Sequence, residues 1–452
     1  MPKARIDLGA MPHAVRDVAT SLRRRGGSAW LVGGTVRDLL LRAAPHDFDL
    51  ATDLEPAAVL AAVPGAEGRD ARLGTCRLPT AAGEITITTL REEAGYEDHR
   101  RPDRVRFVDD PAIDARRRDF TVNALYADLT DGSVLDSVGG LDDLAARRLR
   151  TVGEPARRFA EDALRLLRLW RFAATCDLSI APDTAAAARA AADDLRHLAR
   201  ERVYEELTRT FTGRGRGRCL GALVELGFAA VVLPEVAAMQ GVTQPPEYHP
   251  EGDVLTHVGL VLANVPEGDP VLAWSAVLHD VGKPPTWRQA EDRIRFDGHD
   301  TLSAAMAEEV LRRLGAPNSL REAVAEICRD HIRFASLPAM RPRRREAWLR
   351  SPRFGRHLQF HRADCLGSHG DLRIHDFAAG ELAALPPLAE PLVTGKDVLE
   401  LGVPPGPAVG DFLARVHAAA DEAPVPMDRP AALILLREIV ARHRQGDAPG
   451  SR

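Results

Sequence analysis

LVGGTVRDLLL (31–41) is typical of a strand that turns through Gly33 and Gly34 into a helix carrying Arg37 and Asp38. Glycine lets a backbone turn sharply and approach a ligand closely, and the start of a helix offers unpaired N–H groups to phosphate. A Gly-Gly pair by itself is more often a structural turn. The stretch therefore predicts a strand–turn–helix unit whose function depends on what lies beside it.

HDFDLAT (46–52) places two carboxylates on one face of the next strand. Alternate side chains of a strand share a face, so Asp47 and Asp49 project together while Phe48 and Leu50 point toward the core. Neighbouring carboxylates repel each other unless a cation lies between them. Mg²⁺ suits such a pair, because it takes carboxylate oxygens and keeps sites for triphosphate oxygens and water. The alternative interpretation is an acidic surface loop.

RRRDFTVNAL (116–125) adds a third carboxylate, Asp119, beside Arg118, whose guanidinium is suited to phosphate. A basic helix cap is the alternative interpretation of these residues.

RFAEDALRLLRLWRF (158–172) is predicted to be one helix with a charged face and an apolar face. Glu161 and Asp162 would lie three or four residues from Arg165, and Arg168 would continue that face. The alternative function of these charges is a ladder of intrahelical ion pairs, worth a few tenths of a kcal/mol each.

GGTVRD, HDFDLAT, RRRDFTVNAL, GGLDDL and RFAEDALRLLRLWRF, in this order and spacing, resemble the class II tRNA nucleotidyltransferase and bacterial poly(A) polymerase family. The resemblance covers at least residues 28–240. It implies that Asp47 and Asp49 hold catalytic Mg²⁺ and adds Asp119 to the catalytic carboxylates. One departure is His46, where the family often has a basic residue. The nucleotide contacts that the resemblance implies are Gly33, Gly34, Arg37, Arg118, Glu161, Asp162, Arg165 and Arg168.

The same resemblance implies how the protein would select its nucleotides. Asp162 and Arg165 would read the Watson–Crick edge of ATP or CTP in place of a nucleic-acid template, because a carboxylate accepts from the cytosine amino group and an arginine donates to ring acceptors. The partners would be the tRNA 3′ end, CTP and ATP. REEAGYEDHRRPDRV (91–105) resembles the flexible loop with which CCA-adding and A-adding members accept ATP.

AVLHDVGKPPTW (276–287) places His279 and Asp280 next to each other in an apolar helix. Buried imidazole and carboxylate groups need partners, and a divalent cation satisfies both. The order of this pair among His257, His299, His331 and Asp364 resembles the HD phosphohydrolase superfamily. The resemblance implies a metal centre of His257, His279, Asp280 and Asp364, with His299 and His331 available for a second ion or for phosphate.

Imidazole ligands favour a transition metal, so nickel, cobalt or manganese is expected in this centre, and Lys283 is expected to support phosphate binding. A subset of bacterial CCA-adding enzymes carries an HD domain in this position. There it acts on phosphomonoesters or 2′,3′-cyclic phosphates.

The predicted architecture is α+β, with a mixed sheet in front and helices behind. Short β-rich runs (AWLVGG, FDLAT, EITITTL, RVRFV) alternate with helical stretches up to about residue 145, and GVTQPPEYHPEGD (241–253) is typical of a linker. The expected domains are a nucleotidyltransferase palm (1–145), a helical neck and body that binds nucleobase and tRNA (146–240), an HD domain (250–380) and a C-terminal tail (385–452).

Bulk properties favour a cytoplasmic enzyme without a membrane partner. No apolar run approaches the ~20 residues of a membrane span, and the five cysteines form no CxxC pair. The net charge of −5 means that any RNA contact must come from local basic clusters such as RGRGR (214–218) or RPRRR (341–345), each of which is more typical of a solvated charge run.

Three hypotheses follow. The first is addition of C, C and A to tRNA, and the second is poly(A) addition or addition of CC or A alone. The third is an HD hydrolase of RNA ends whose front domain only binds RNA, and the intact Asp47, Asp49, Glu161 and Arg165 argue against it. The sequence leaves the oligomeric state open.

Overall fold

The structure is a computed structural model that describes residues 4–9, 11–45, 47–81, 83–95, 104–386, 391–423 and 427–444. The chain divides into two compact units, Met1–Leu382 and Ala383–Arg452. The segments expected to be palm, neck and HD domain all lie in the first unit, where one apolar core extends from Ile6 to Ala363. The second unit begins two residues before the expected tail.

A seven-stranded mixed sheet occupies the front of the first unit, as predicted. Its strand order is β3-β4-β5-β2-β1-β8-β9. β2 and β5 run parallel, with Asp49 opposite Thr86, and the other neighbours are antiparallel. The strands of the described residues are β1 Trp30–Val32, β2 Phe48–Thr52, β3 Glu67–Asp70, β4 Thr75–Thr80, β5 Gly83–Thr89, β6 Arg91–Ala94, β7 Arg104–Phe107, β8 Leu125–Asp128, β9 Val134–Asp136, β10 Arg148–Leu149, β11 Ser179–Ile180, β12 Arg288–Gln289 and β13 Ile294–Arg295.

Helices dominate the chain after the sheet, also as predicted. The α-helices are α1 His13–Arg24, α2 Gly34–Leu40, α3 Pro56–Ala62, α4 Pro111–Ala115, α5 Gly140–Ala145, α6 Pro155–Glu161, α7 Leu164–Thr175, α8 Pro182–Ala190, α9 Arg200–Thr212, α10 Cys219–Glu225, α11 Phe228–Val232, α12 Pro234–Ala237, α13 Val254–Asn264, α14 Pro270–Leu278, α15 Lys283–Thr286, α16 His299–Arg313, α17 Asn318–Asp330, α18 Pro342–Leu349, α19 Phe354–Leu366, α20 Arg373–Ala384, α21 Gly395–Glu400, α22 Pro407–Glu422 and α23 Arg429–Arg444. Short 3₁₀ helices cover Ala71–Leu73, Thr121–Asn123, Ala192–His197, Arg216–Arg218 and His331–Ala339.

The prediction of one helix over 158–172 was wrong. α6 ends at Glu161, Asp162 is extended (φ −150°, ψ 105°), and α7 begins at Leu164. The Asp162 carboxylate accepts the N–H of Leu164 at 3.0 Å. Aspartate often competes with helical hydrogen bonding in this way, which explains the break.

The basic run at 214–218 is only partly a solvated face. Arg216 is buried, and its Nε donates to the carbonyl of Leu262 at 2.8 Å. The Arg216 guanidinium also donates to the carbonyl of Val265, so it satisfies carbonyls at the C-terminal end of α13. Arg218 pairs with Asp177 at 2.6 Å on the surface.

The second unit has a small apolar core of its own. Val398, Phe412 and Leu436 are buried in it, one from each of α21, α22 and α23. α21 begins with a capping box, in which the Thr394 hydroxyl accepts the N–H of Asp397 and the Asp397 carboxylate accepts the N–H of Thr394.

Close packing of α13 on α19 gives a stability prediction. A Cβ on Gly367, at the end of α19, would lie 2.8 Å from the backbone nitrogen of Val261 in α13. Gly367→Ala should therefore force the helices apart and lower the free energy of unfolding by about 1–3 kcal/mol, measured by urea denaturation. Gly355→Ala is the matched control, because a Cβ at that position of α19 meets no atom within 4 Å. Equal stability of the two variants would contradict this packing.

Candidate functional sites

The glycine turn and the two aspartates are held together by one hydroxyl. The Oγ1 of Thr35 donates to the carbonyl of Asp47 at 3.1 Å and accepts the N–H of Asp49 at 3.0 Å. These bonds connect the start of α2 to the start of β2. Gly33 has φ +66°, and a Cβ there would lie 3.3 Å from Nη1 of Arg118 and 4.0 Å from Oδ2 of Asp49. The turn, the carboxylates and Arg118 therefore meet at one place.

The environment of Asp49 suits a cation. Asp49 is half-buried on β2, and Asp47 is exposed just before the strand. Burial and the charge of Asp47 raise the pKa of Asp49, while Arg118 opposes them. A divalent ion would offset both unfavourable effects, so the carboxylate pair fits a metal. The neighbouring His46 lies outside the described residues.

A buried carboxylate that sequence reasoning missed fixes Arg118. Asp114 Oδ2 lies 3.2 Å from Nη2 of Arg118, and Asp114 Oδ1 accepts from Nε of Arg117 at 2.8 Å. Tyr126 donates its hydroxyl to Asp114 and accepts from Nε of Arg118 at 2.7 Å. Burial acts to raise the pKa of Asp114, but the two arginines lower it to about 2. The signal in the sequence was the spacing of three and four residues between Asp114 and these arginines.

Asp119, which lies between α4 and the 3₁₀ helix Thr121–Asn123, forms an ion pair with α7. Its Oδ2 lies 2.6 Å from Nη2 of Arg168, and its Oδ1 accepts from the N–H of Phe120 at 2.8 Å. The Asn123 amide donates to Asp119 at 3.3 Å and accepts from Nη1 of Arg37 at 2.6 Å. Burial opposes ionisation of Asp119, but Arg168 lowers its pKa to about 2. Asp119 thus holds Arg168 in place, and a catalytic role for its carboxylate stays a prediction.

The aromatic ring of Phe172 contacts three arginines of this site. The guanidinium carbons of Arg37 and Arg168 lie 5.0 and 5.3 Å from the centroid of its ring, and that of Arg171 lies 4.1 Å away. Cations over an aromatic face are attracted to it. The sequence pattern indicated only that Phe172 faces the core.

Arg165 and Asp162, the expected base-reading pair, have different partners. Nη1 of Arg165 lies 2.9 Å from Glu161 Oε2 and donates to the carbonyl of Arg158 at 2.8 Å. The Arg165 side chain is buried, whereas the Asp162 carboxylate is bonded to the N–H of Leu164. Burial raises the pKa of Asp162. Glu161 thus positions Arg165, and base reading by Asp162 and Arg165 stays a prediction.

In the HD region, the four expected ligands and the two further candidate histidines come together. They fall into two groups, each with ligand atoms within 4.8 Å of one another: His257, His279 and Asp364 in one, and Asp280, His299 and His331 in the other. In the first group Nε2 of His257 lies 3.3 Å from Nε2 of His279 and 3.1 Å from Asp364 Oδ1.

Asp280 lies between the two groups. Its Oδ2 is 3.2 Å from Nε2 of His279, and its Oδ1 is 3.6 Å from Nε2 of His299 and 3.8 Å from Nε2 of His331. Asp280 is buried, and the ammonium of Lys283 lies 2.8 Å from its Oδ2, while its Oδ1 accepts no hydrogen bond from the described residues. Buried carboxylate oxygens without a hydrogen bond are rare, and a metal ion bound to Oδ1 would account for this one.

Backbone and carboxylate acceptors orient all four imidazoles. Nδ1 lies 3.0 Å from the Ala276 carbonyl in His279, 2.7 Å from the Phe296 carbonyl in His299 and 2.6 Å from the Cys328 carbonyl in His331. A hydrogen bond from Nδ1–H leaves the Nε2 lone pair free to bind a metal. The donor set therefore fits divalent metal ions.

The segment 241–253, predicted to be a linker, also contacts residues of the histidine centre. Glu251 Oε1 lies 2.9 Å from Nδ1 of His257 and 2.9 Å from Nδ1 of His249. Glu251 thus holds the fourth imidazole as the carbonyls hold the other three. Gln244 accepts from Nζ of Lys283 at 2.6 Å. The proline-rich composition of this segment predicted only a linker. The one feature of the sequence that could have indicated these contacts was the His-x-Glu spacing just before α13.

The fold and both sites define a class, a nucleotidyltransferase head followed by a helical region and an HD metal centre. Family models agree. The model described as poly A polymerase head domain matches residues 29–150, that of the probable RNA- and SrmB-binding site of polymerase A matches 177–240, and the HD domain matches 254–353.

Similar proteins identify the family. The chain is 35% identical over 358 residues to the multifunctional CCA protein of Azoarcus sp. (strain BH72), covering 76% of this chain and 84% of that protein. It is 40% identical over 209 residues to the CCA-adding enzyme of Oceanobacillus iheyensis, covering 46% of this chain and 52%, about half, of that enzyme. The crystal structure of the Bacillus stearothermophilus CCA-adding enzyme in complex with CTP aligns with a TM-score of 0.65 at 26% identity, over 97% of this chain and 100% of that one. The chain belongs to the CCA-adding enzyme family.

No helix among the described residues has the length and apolar character needed to cross a membrane.

The site geometry gives a prediction about the two aspartates. Asp47→Ala or Asp49→Ala should reduce nucleotide incorporation to less than about a tenth of the wild-type rate, because each would remove an expected metal ligand. Incorporation of labelled CTP into tRNA measures the effect, and circular dichroism checks the fold. Asp109→Ala, which changes an exposed aspartate of the same domain, is the control and should be fully active. Near-normal incorporation by a folded Asp49→Ala protein would refute the metal assignment.

Proposed function

We propose that this chain adds C, C and A to the 3′ end of tRNA from CTP and ATP without a nucleic-acid template. The observation that carries the proposal is the convergence of the Gly33 turn, Asp47, Asp49 and Arg118. The names of its relatives support it, as does the CTP bound to the Bacillus stearothermophilus enzyme.

In the proposed reaction the tRNA 3′ oxygen bonds to the α-phosphorus of the nucleotide, and pyrophosphate leaves. Asp47 and Asp49 would hold Mg²⁺, which when bound would activate the hydroxyl and stabilise the developing charge. Arg118, fixed by Asp114 and Tyr126, would bind triphosphate oxygens beside Gly33. A rigid guanidinium loses less conformational freedom on binding, which favours its use here.

Arg37 and Arg168 would help to recognise the nucleotide. Arg37 and Arg168 are connected through Asn123 and Asp119, so the sheet and α7 would present them as one rigid group. Asp162 and Arg165 would read the base edge, with Glu161 positioning Arg165. The carboxyl of Asp162 has a raised pKa because it is buried, and contact with an amino group of cytosine or adenine would favour its charged form.

We also propose that the histidine centre hydrolyses phosphate esters with nickel, cobalt or manganese as the metal. The Asp280 carboxylate, whose two oxygens face different histidine groups, supports two ions there. A water oxygen would bond to phosphorus, an ester P–O bond would break, and the water proton would pass to the leaving oxygen. Lys283, held by Asp280 and Gln244, would face the phosphate.

One assay tests the first activity and separates it from related ones. The purified protein would receive tRNA ending at the discriminator base, at C or at CC, with CTP and ATP offered separately. We expect CTP to be used on the first two ends and ATP on the third. Repeated addition of A would instead identify a poly(A) polymerase, and use of CTP alone would identify a CC-adding enzyme. The loop that distinguishes these enzymes lies largely at residues 96–103, outside the described residues.

Base reading gives a prediction for Arg165. Arg165→Ala should slow incorporation and also reduce discrimination against UTP and GTP by about 5- to 150-fold, since a bidentate base contact contributes roughly 1–3 kcal/mol of discrimination. Competition between nucleotides measures this ratio. Arg157→Ala is the control, because Arg157 contacts the same Glu161 at 3.3 Å from an exposed position. A slower variant with unchanged selectivity would assign Arg165 a structural role only.

The two activities should be chemically separable. His279→Ala combined with Asp280→Ala should abolish metal-stimulated phosphatase and cyclic phosphodiesterase activity and leave CCA addition largely intact, because it removes ligands of the histidine centre alone. Nickel, cobalt or manganese should stimulate the wild-type hydrolase more than Mg²⁺ does.

His369→Ala, an exposed histidine of the same region, is the control for this double variant and should keep both activities. Loss of nucleotide addition by a folded double variant would show that the two sites depend on each other. A wild-type protein without hydrolase activity in any of these metals would exclude the second function.

A further inference from the structure

The mouth of the histidine cavity carries an aromatic side chain that the proposed hydrolysis does not use. Tyr248 is 53% exposed and lines the same cavity of about 480 Å³ as His279 and Asp280. Single exposed aromatic residues are common on proteins. The position of this one is informative, because it stands at the rim of a charged cavity.

Two further side chains extend the surface of Tyr248. The guanidinium carbon of Arg293 lies 6.0 Å from the centroid of the Tyr248 ring, and its Nη1 donates to the phenol oxygen at 3.5 Å. Ile332, the residue after His331, is 48% exposed and lines the cavity as well. The rim therefore combines an aromatic face, a planar cation and an apolar side chain, and nucleobases stack on such groups in proteins.

The two ends of the cavity differ in chemistry. The inner end holds the histidines, Asp280 and the ammonium of Lys283, which suit a phosphate ester and its metal ions. The outer end holds Tyr248 and Arg293. A volume of about 480 Å³ exceeds what a phosphate group needs and falls within the range of sites for small organic ligands. A ligand with phosphate at one end and a flat ring at the other would fill it.

We propose that Tyr248, supported by Arg293 and Ile332, is a nucleobase platform that makes the histidine centre selective for nucleotides and RNA termini over phosphate esters without a base. This inference rests on the proposed hydrolase activity of that centre. Free nucleotides and RNA ends share the recognised chemistry, a base attached through ribose to a phosphate ester.

The test compares two substrates with the same five-membered cyclic phosphate, namely 2′,3′-cyclic AMP and glycerol 1,2-cyclic phosphate, on the full chain with its stimulating metal. Tyr248→Ala should raise KM for 2′,3′-cyclic AMP at least about fivefold, which corresponds to the low end of base–aromatic stacking. Its kcat, and both constants for glycerol 1,2-cyclic phosphate, should stay within about twofold of the wild type. Tyr248→Phe should restore the wild-type KM, because the ring is kept.

Trp287→Ala is the matched control. Trp287 is 43% exposed and borders a different depression, with Pro284 and Val242, so its loss should change neither substrate. A short RNA with a 2′,3′-cyclic phosphate end completes the experiment. A larger effect of Tyr248→Ala on this RNA than on 2′,3′-cyclic AMP would identify RNA ends as the preferred source of the base.

Equal effects of Tyr248→Ala on the two cyclic phosphates, or no effect on either, would overturn the platform while leaving the hydrolase intact. If the wild type hydrolyses neither compound, the proposed hydrolase fails. The platform is then tested by binding of 2′-AMP in isothermal calorimetry, where an unchanged Kd in Tyr248→Ala would overturn it and a fivefold weaker Kd would support it.

Discussion

The front site depends on one series of polar contacts, which runs from the buried Arg37 through Asn123 and Asp119 to the partly exposed Arg168. Arginine and aspartate cannot be buried without partners at acceptable cost, so each member fixes the next. Arg37 starts from α2 beside the sheet, and Arg168 belongs to α7 in the helical region. These contacts therefore hold two distant parts of the sequence together. Both arginines also lie over the ring of Phe172, which strengthens the contact.

Buried carboxylates have a similar role throughout the first unit. Asp114 fixes Arg117 and Arg118, Glu161 fixes Arg165, and Glu251 fixes His257. In each case the acid contacts a side chain that would bind phosphate, base or metal. Side chains that are fixed before binding lose less freedom on binding, which favours both affinity and geometry. Asp119 and Glu161 each form an ion pair with an arginine, and their direct roles in catalysis and nucleotide binding stay predictions.

The two sites differ in how they would hold metal ions. Asp47 and Asp49 offer oxygens only, next to an open turn, which matches an ion that keeps several exchangeable ligands. The histidine centre lies in a cavity, and its imidazoles are oriented through Nδ1 before any ion arrives. Asp280 faces both histidine groups, because its Oδ2 lies 3.2 Å from Nε2 of His279 and its Oδ1 lies 3.6 Å from Nε2 of His299.

The sequence by itself determined the features that depend on local spacing. Strand periodicity predicted that Asp47 and Asp49 project together, and the structure places Asp49 on β2 and Asp47 just before it. The glycine pair predicted the turn into α2, and the apolar setting of His279 and Asp280 predicted a metal centre. Tertiary structure alone decided that Asp119 meets Arg168, because these two residues lie 49 positions apart. It also decided that 241–253, which looks like a linker, brings Glu251 and Tyr248 to the cavity. Sequence patterns report the periodicity of one element, whereas such pairings depend on how distant elements pack, and no local spacing encodes that.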